Sequence, residues 1–246
     1  MKLKQHINQL FIGSILLKVL FWAIIVAAAL HIIWQLIAGP EVPGQYDLLS
    51  DIARRFGLDS ELSFPTWLVS AMALIVAVYM FVAARHTTSR SARIMWYVLA
   101  AGLLLLAIDE TTALHELVVQ GVHVSADLGE QQTFTSNAWL LLSPLILAGG
   151  IGLVYALYRT LPRATFWRFA IAFAVYFAGA FVVEYLSIQI DKAELTYRIG
   201  LVVIEESFEL IGVWLLLRGT LLHVREQQPK LQAQLGELFH PVSTRD

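Results

Sequence analysis

The chain has 246 residues, of which 58% are hydrophobic and 15% charged, with a net charge of −2 and no cysteine. A mean hydropathy of +0.67 lies well outside the range of a soluble globular domain. The charge balance argues against a nucleic-acid partner, and the missing cysteine excludes disulfides, thiolate metal sites and a cysteine nucleophile.

The apolar residues fall in six blocks, at 11–38, 65–84, 93–119, 138–159, 166–190 and 197–222. Each is at or near the roughly 20 residues that a helix needs to cross a bilayer. The expected fold is an all-α integral membrane bundle of six transmembrane helices over residues 1–225, followed by a cytoplasmic amphipathic tail over 226–246. The first block, from Phe11 to Ala38, is too long for a signal-peptide core and is expected to be retained.

Between the first two blocks, "YDLLSDIARRFG" (46–57) sets Leu48, Leu49, Ile52 and Phe56 at helical spacing, with Asp47 as cap and Gly57 as stop. That pattern predicts a short helix on the membrane surface. In the tail, Leu231, Leu235, Leu238 and Phe239 share one face, which suits the inner surface or a partner helix as well as a solvated end.

Lys and Arg sort by side. Of the 17 in the chain, only Arg54, Arg55, Lys192 and Arg198 fall at one set of span ends, with Lys18 inside the first span. The positive-inside rule then places both termini in the cytoplasm, in an inner or plasma membrane.

The third block ends in "AIDETTALHELV" (107–118), which carries Asp109, Glu110, His115 and Glu116 where hydrocarbon is expected. Asp109 and Glu116 are seven apart and so share a helix face, with Thr112 between them. The fifth block carries Glu184, preceded by Gly179 and Ala180, which suit close helix packing. The sixth opens with "VIEESFELIG", placing Glu205, Glu206 and Glu209 within one arc, and Gly212 continues that face. His31 lies late in the first block. With the alternating directions of the spans, all these groups come to the outer half of the membrane. The second and fourth blocks add only Ser70 and Ser143.

"IDET" (108–111) and "IEES" (204–207) look alike, but an inverted duplication would put the copies at opposite depths. Convergence on one shared site is the better explanation.

Each charged group at a helix centre costs roughly 2.5–3.5 kcal/mol, and seven acids in one layer would repel strongly. Protonation, a water-filled vestibule or bound cations would relieve that. A carboxylate and histidine set of this kind, Asp109, Glu110, His115, Glu116, Glu184, Glu205, Glu206, Glu209 and His31, resembles the ligand inventory of carboxylate-bridged dimetal bundles. The resemblance implies divalent metal, iron or manganese first and zinc next. It lacks the two Glu-x-x-His elements of the soluble diiron proteins. The pair "DETTALHE" and "EESFE" is also similar to motifs of uncharacterised multi-pass bacterial membrane proteins, a resemblance that implies no activity.

The leading expectation is a metal-dependent oxidoreductase acting on a lipid or hydrophobic substrate. The alternatives are a cation- or proton-coupled transporter using the same acids, and a membrane assembly protein. The inner halves of the spans carry few polar groups, which counts against a complete transport pathway.

Overall fold

The computed structural model describes residues 14–38, 52, 54–58, 60, 63–114, 143–187, 190 and 196–227. Every regular element among them is helical. In chain order these are α1 (Ile15–Ala38), α2 (Phe64–His86), α3 (Arg90–Thr112), α4 (Ser143–Thr160) and α5 (Arg163–Phe177). A π-helical turn, Ala178–Val183, carries α5 into the short α6 (Glu184–Ser187). A second π-helical turn, Thr196–Leu201, leads into α7 (Val202–Gln227).

Local chemistry sets several of these boundaries. Ser63 caps α2, its hydroxyl accepting the Thr66 N–H at 3.3 Å, and Pro65 occupies the first turn, where no donor is missed. The α2–α3 turn is closed by Arg93, whose guanidinium donates to the carbonyls of Thr87 (3.1 Å) and Thr88 (3.3 Å). Higher up that antiparallel pair, the Ser70 hydroxyl donates to the Ala107 carbonyl at 2.7 Å. At the α4–α5 turn, the Arg163 guanidinium sits 3.8 Å above the Tyr158 ring centre.

α7 is the central element. It touches α1, α2, α5 and both π-helical turns. Leu210, Val213, Trp214, Leu216, Leu217 and Thr220 on it are all buried. Trp214 Nε1 donates to the Leu17 carbonyl at 2.9 Å and ties α7 to α1. α5 and α7 run antiparallel, since Thr165 at the start of α5 meets His223 near the end of α7.

The outer faces of α1 and α2 are apolar. Ile15, Val19, Trp22, Ile33 and Leu36 on α1, with Trp67, Leu74, Val78 and Phe81 on α2, are exposed. A surface of that extent suits lipid rather than water.

Two expectations need correction. Among the described residues four helices, not six, are long and apolar enough to cross a membrane: Ile15–Leu36, Phe64–His86, Arg90–Thr112 and Arg163–Val183. α4 begins at Ser143, the first described residue of its block. Its described part carries Pro144 in the first turn and Gly149, Gly150 and Gly152 within it. α7 carries Glu205, Glu206, Glu209 and Arg218 and is enclosed by its neighbours.

The second correction concerns the end of α3. The helix stops at Thr112, and Ala113 adopts a left-handed conformation with φ of 49°, its N–H returning to the Asp109 carbonyl at 2.7 Å. The regular helical phase that runs through Asp109 ends there, and Glu116 lies outside the described residues.

The predicted surface helix at 46–57 falls largely outside the described residues. Its end is a turn, with Arg55 N–H donating to the Ile52 carbonyl (3.1 Å) and Gly57 N–H to the Arg54 carbonyl (3.2 Å). The tail from 228 onward lies outside the described residues.

Candidate functional site

Two glycines decide how closely α7 approaches the end of α5. A Cβ on Gly212 would lie 2.7 Å from Tyr176 Cβ and 2.8 Å from its Cα and N. One on Gly179 would lie 2.6 Å from the Glu205 carbonyl oxygen, 2.9 Å from Phe208 Cβ and 3.3 Å from Glu209 Cγ. Only glycine permits these backbone approaches, the small-residue contact expected of helices packed within a membrane. The packing role read from sequence for Gly179 and Gly212 is thus present, and the π-helical turn Ala178–Val183 lies at the same contact. Such turns recur at functional sites in helices.

Four acids lie within electrostatic range of one tyrosine at this contact. The charged groups acting on the Tyr176 hydroxyl are Glu209, Glu110, Glu206 and Asp109. Asp109 and Glu110 come from the last turn of α3, Glu206 and Glu209 from the first turns of α7, and Tyr176 from the end of α5. These residues come from three helices. Glu205 flanks the group, with its carbonyl against Gly179.

Tyr176 also lines a half-enclosed cleft of about 300 Å³ between α3, α4, α5 and α7. Leu103 and Leu106 of α3, Leu153 of α4, Phe173 of α5 and Val213 of α7 form much of its wall, and the lining carries no charged side chain. On α3, Asp109 and Glu110 follow Leu106 by three and four residues, so they stand one turn beyond the cleft. On α7, Glu209 precedes the lining residue Gly212 by three. The acids therefore form the polar end of an apolar cleft, and Tyr176 is the junction. Its volume is at the small end of the range for small-molecule sites.

Beyond the opposite end lies an aromatic and polar node. Trp96 packs edge-on against Phe169 with ring centres 5.7 Å apart, and its ring lies 4.6 Å from His223. His223 Nδ1 and the Thr165 hydroxyl are 2.8 Å apart and buried. Further out, Arg168 and Glu226 form a two-pronged ion pair at 2.7 and 2.8 Å.

The remaining predicted residues are placed as follows. His31 is buried, and its Nδ1 accepts the Leu58 N–H at 3.1 Å across 27 residues of chain. That bond pins the segment before α2 to the end of α1. Thr112, expected between two acids, turns back on its own helix, its hydroxyl donating to the Ile108 carbonyl at 2.7 Å. His115 and Glu116 lie outside the described residues, as does the side chain of Glu184. Among the described residues no three His, Asp or Glu groups converge as metal ligands. Asp109, Glu110, Glu206 and Glu209 are the acids to which His115, Glu116 or Glu184 would have to add.

Sequence reasoning missed Tyr176, because an aromatic residue in an apolar block reads as core or membrane belt. Its position one turn before Gly179 was the available signal. It also passed over His223 and Thr165, single polar residues at opposite ends of two blocks.

A substitution tests the role of His31. Changing His31→Leu leaves the Leu58 N–H buried without its acceptor, a loss of about 1–3 kcal/mol. Thermal unfolding of the purified protein should fall by several degrees, and an unchanged midpoint would show that the bond contributes nothing.

Residues 19–224 match a family described as a domain of unknown function, DUF8692. The chain belongs to that family. The matched stretch runs from α1 almost to the end of α7 and includes every residue of the acid layer and the cleft. No curated protein and no solved structure matches the chain.

Proposed function

We propose that this protein is a multi-pass membrane transporter that exchanges protons for a cation at the acids gathered around Tyr176. The observation that carries the reading is the placement of Asp109, Glu110, Glu206 and Glu209 within electrostatic range of Tyr176, at the end of the apolar cleft. Acids in such a place bind a cation when ionised and hold protons when it leaves, so one set of groups serves both. The inner halves of the spans carry few polar residues, so the reading places cation binding and proton exchange at the outer acids.

In this reading α4 and α7 also cross the bilayer, giving six crossings. Both termini face the cytoplasm of an inner or plasma membrane, following the distribution of Lys and Arg, and the acids face outward.

The test is made in proteoliposomes with an acidic lumen that contain a pH-reporting dye. A panel of sodium, potassium, magnesium and alkylammonium salts is added outside. Proton release triggered by any member, beyond that of protein-free vesicles, supports exchange. No release with the whole panel overturns it.

Elemental analysis separates this reading from the metal-dependent oxidoreductase expected from sequence, which draws on His115, Glu116 and Glu184 for the rest of its ligands. Protein purified without chelators and after supplementation with iron, manganese and zinc should carry less than stoichiometric metal. One or two bound ions per chain, lost on Asp109→Asn, would replace transport with metal chemistry.

A further inference from the structure

The hairpin of α4 and α5 carries charge of one sign. From residue 131 to residue 183 the chain has three arginines, Arg159, Arg163 and Arg168, and no Asp or Glu. Arg168 is matched by Glu226 of α7 through two hydrogen bonds of 2.7 and 2.8 Å. Among the described residues Arg159 and Arg163 form no ion pair, and both are exposed. They flank a short turn, since α4 ends at Thr160 and α5 begins at Arg163. Four residues of chain keep their Cα atoms within about 14 Å of each other.

The turn is firmly built. Leu157, Leu161 and Phe166 are buried, and the Leu161 N–H donates to the Leu157 carbonyl at 2.9 Å. The Arg163 guanidinium carbon lies 3.8 Å above the Tyr158 ring centre. That ring meets Phe166 edge-on with centres 5.3 Å apart, and Phe166 meets Trp167 at 5.2 Å. A ring over the flat face of a guanidinium leaves its in-plane N–H donors at the rim, and these match two oxygens of a phosphate. A side chain already held in place also loses little freedom when it binds.

Depth indicates where the phosphate comes from. Arg163 is the first residue of the apolar span Arg163–Val183, so it stands at the end of a membrane-crossing segment, where lipid headgroups begin. Tyr155, Tyr158 and Trp167 are exposed around it, and aromatic residues of that kind settle at headgroup level. With no acid in the hairpin to receive an ammonium group, a head of net negative charge is favoured over a zwitterion.

From these observations we propose that the α4–α5 turn binds the headgroup of an anionic phospholipid, with its phosphate held between Arg159 and Arg163. A general bias of arginine toward one side of the membrane orients a chain without fixing any guanidinium, whereas the Tyr158 ring fixes this one. The site is separate from the acids around Tyr176 and does not rest on the exchange proposed above.

The test uses the full chain in nanodiscs of phosphatidylcholine with a minor share of phosphatidylglycerol. After gentle release into detergent, native mass spectrometry counts the lipids that stay on the protein. Phosphatidylglycerol should be retained at least about five-fold beyond its share. Excess inorganic phosphate should not displace it. The double change Arg159→Gln and Arg163→Gln should remove the preference. Arg163→Lys, which keeps the charge and loses the fork, and Tyr158→Leu, which keeps both arginines and loses the ring, should each weaken it. Arg85→Gln, which removes an exposed arginine from the end of α2, should leave it intact. Equal retention of the two lipids by the unmodified protein, an arm that needs no variant to fold, would overturn the proposal. So would displacement by inorganic phosphate, which would mark a site for soluble anions. Full retention in the double variant, or an equal loss in Arg85→Gln, would replace a site with diffuse attraction. Full retention in both Arg163→Lys and Tyr158→Leu would remove the fixed guanidinium as its basis.

Discussion

Gly212→Ala is expected to destabilise the protein by about 1–3 kcal/mol, the usual range for forcing extra atoms into a packed interface. The added methyl would sit 2.7–2.8 Å from the backbone and Cβ of Tyr176, closer than carbon atoms tolerate, and backbone cannot rotate away as a side-chain tip can. α5 and α7 would have to separate, shifting Tyr176 away from Glu206 and Glu209. Gly102→Ala is the natural control, because Gly102 lines the same cleft from α3 and has nothing within 4 Å of an added Cβ. There the helix-propensity gain of alanine, up to about 1 kcal/mol, should act alone and raise stability or leave it unchanged. Thermal unfolding of both variants in detergent reads the contrast. A pair of changes with the same sign would show that the Gly212 contact is not tight in the folded protein.

The second large effect is expected from Glu209→Gln, which should cut cation-triggered proton release in proteoliposomes at least ten-fold. Glu209 lies within electrostatic range of the Tyr176 hydroxyl, and its Cγ would stand 3.3 Å from a Cβ on Gly179. For a cation about 5 Å from a carboxylate at an effective dielectric of about 20, one charge pair amounts to roughly 3 kcal/mol, or about two hundred-fold. Other contacts and relaxation reduce that figure, which is why ten-fold is the threshold. Gln has nearly the same shape, so the fold should persist, with an unfolding midpoint close to that of the unmodified protein. Asp109→Asn should act in the same direction from α3. Full proton release in both variants would place the coupling elsewhere.

How much of this was legible in the sequence varies by residue. The apolar blocks at 65–84 and 197–222 correspond to α2 and to the second π turn with α7, because length and hydropathy are properties of the chain itself. The acids of α3 and α7 were expected at one level, and Gly179 and Gly212 were expected at close contacts; both follow from helical spacing along a single element. Ala113 gave no warning, since a left-handed cap is usually marked by Gly or Asn. Its effect is to end the α-helical phase of α3 after Thr112. The partner of His31 was also hidden, because Leu58 lies 27 residues away and donates only its backbone N–H, which every residue but proline has.

The sequence by itself determined that the protein is helical, apolar in long blocks, and acidic where those blocks come together. Which blocks face lipid was left to the tertiary structure. Hydropathy measures how apolar a segment is and not what surrounds it, so α7, enclosed by its neighbours, reads like the helices around it. Packing alone also decided that Tyr176 stands between the acids and an apolar cleft. Both are products of two glycines allowing one backbone to rest against another, a contact between residues far apart in the chain.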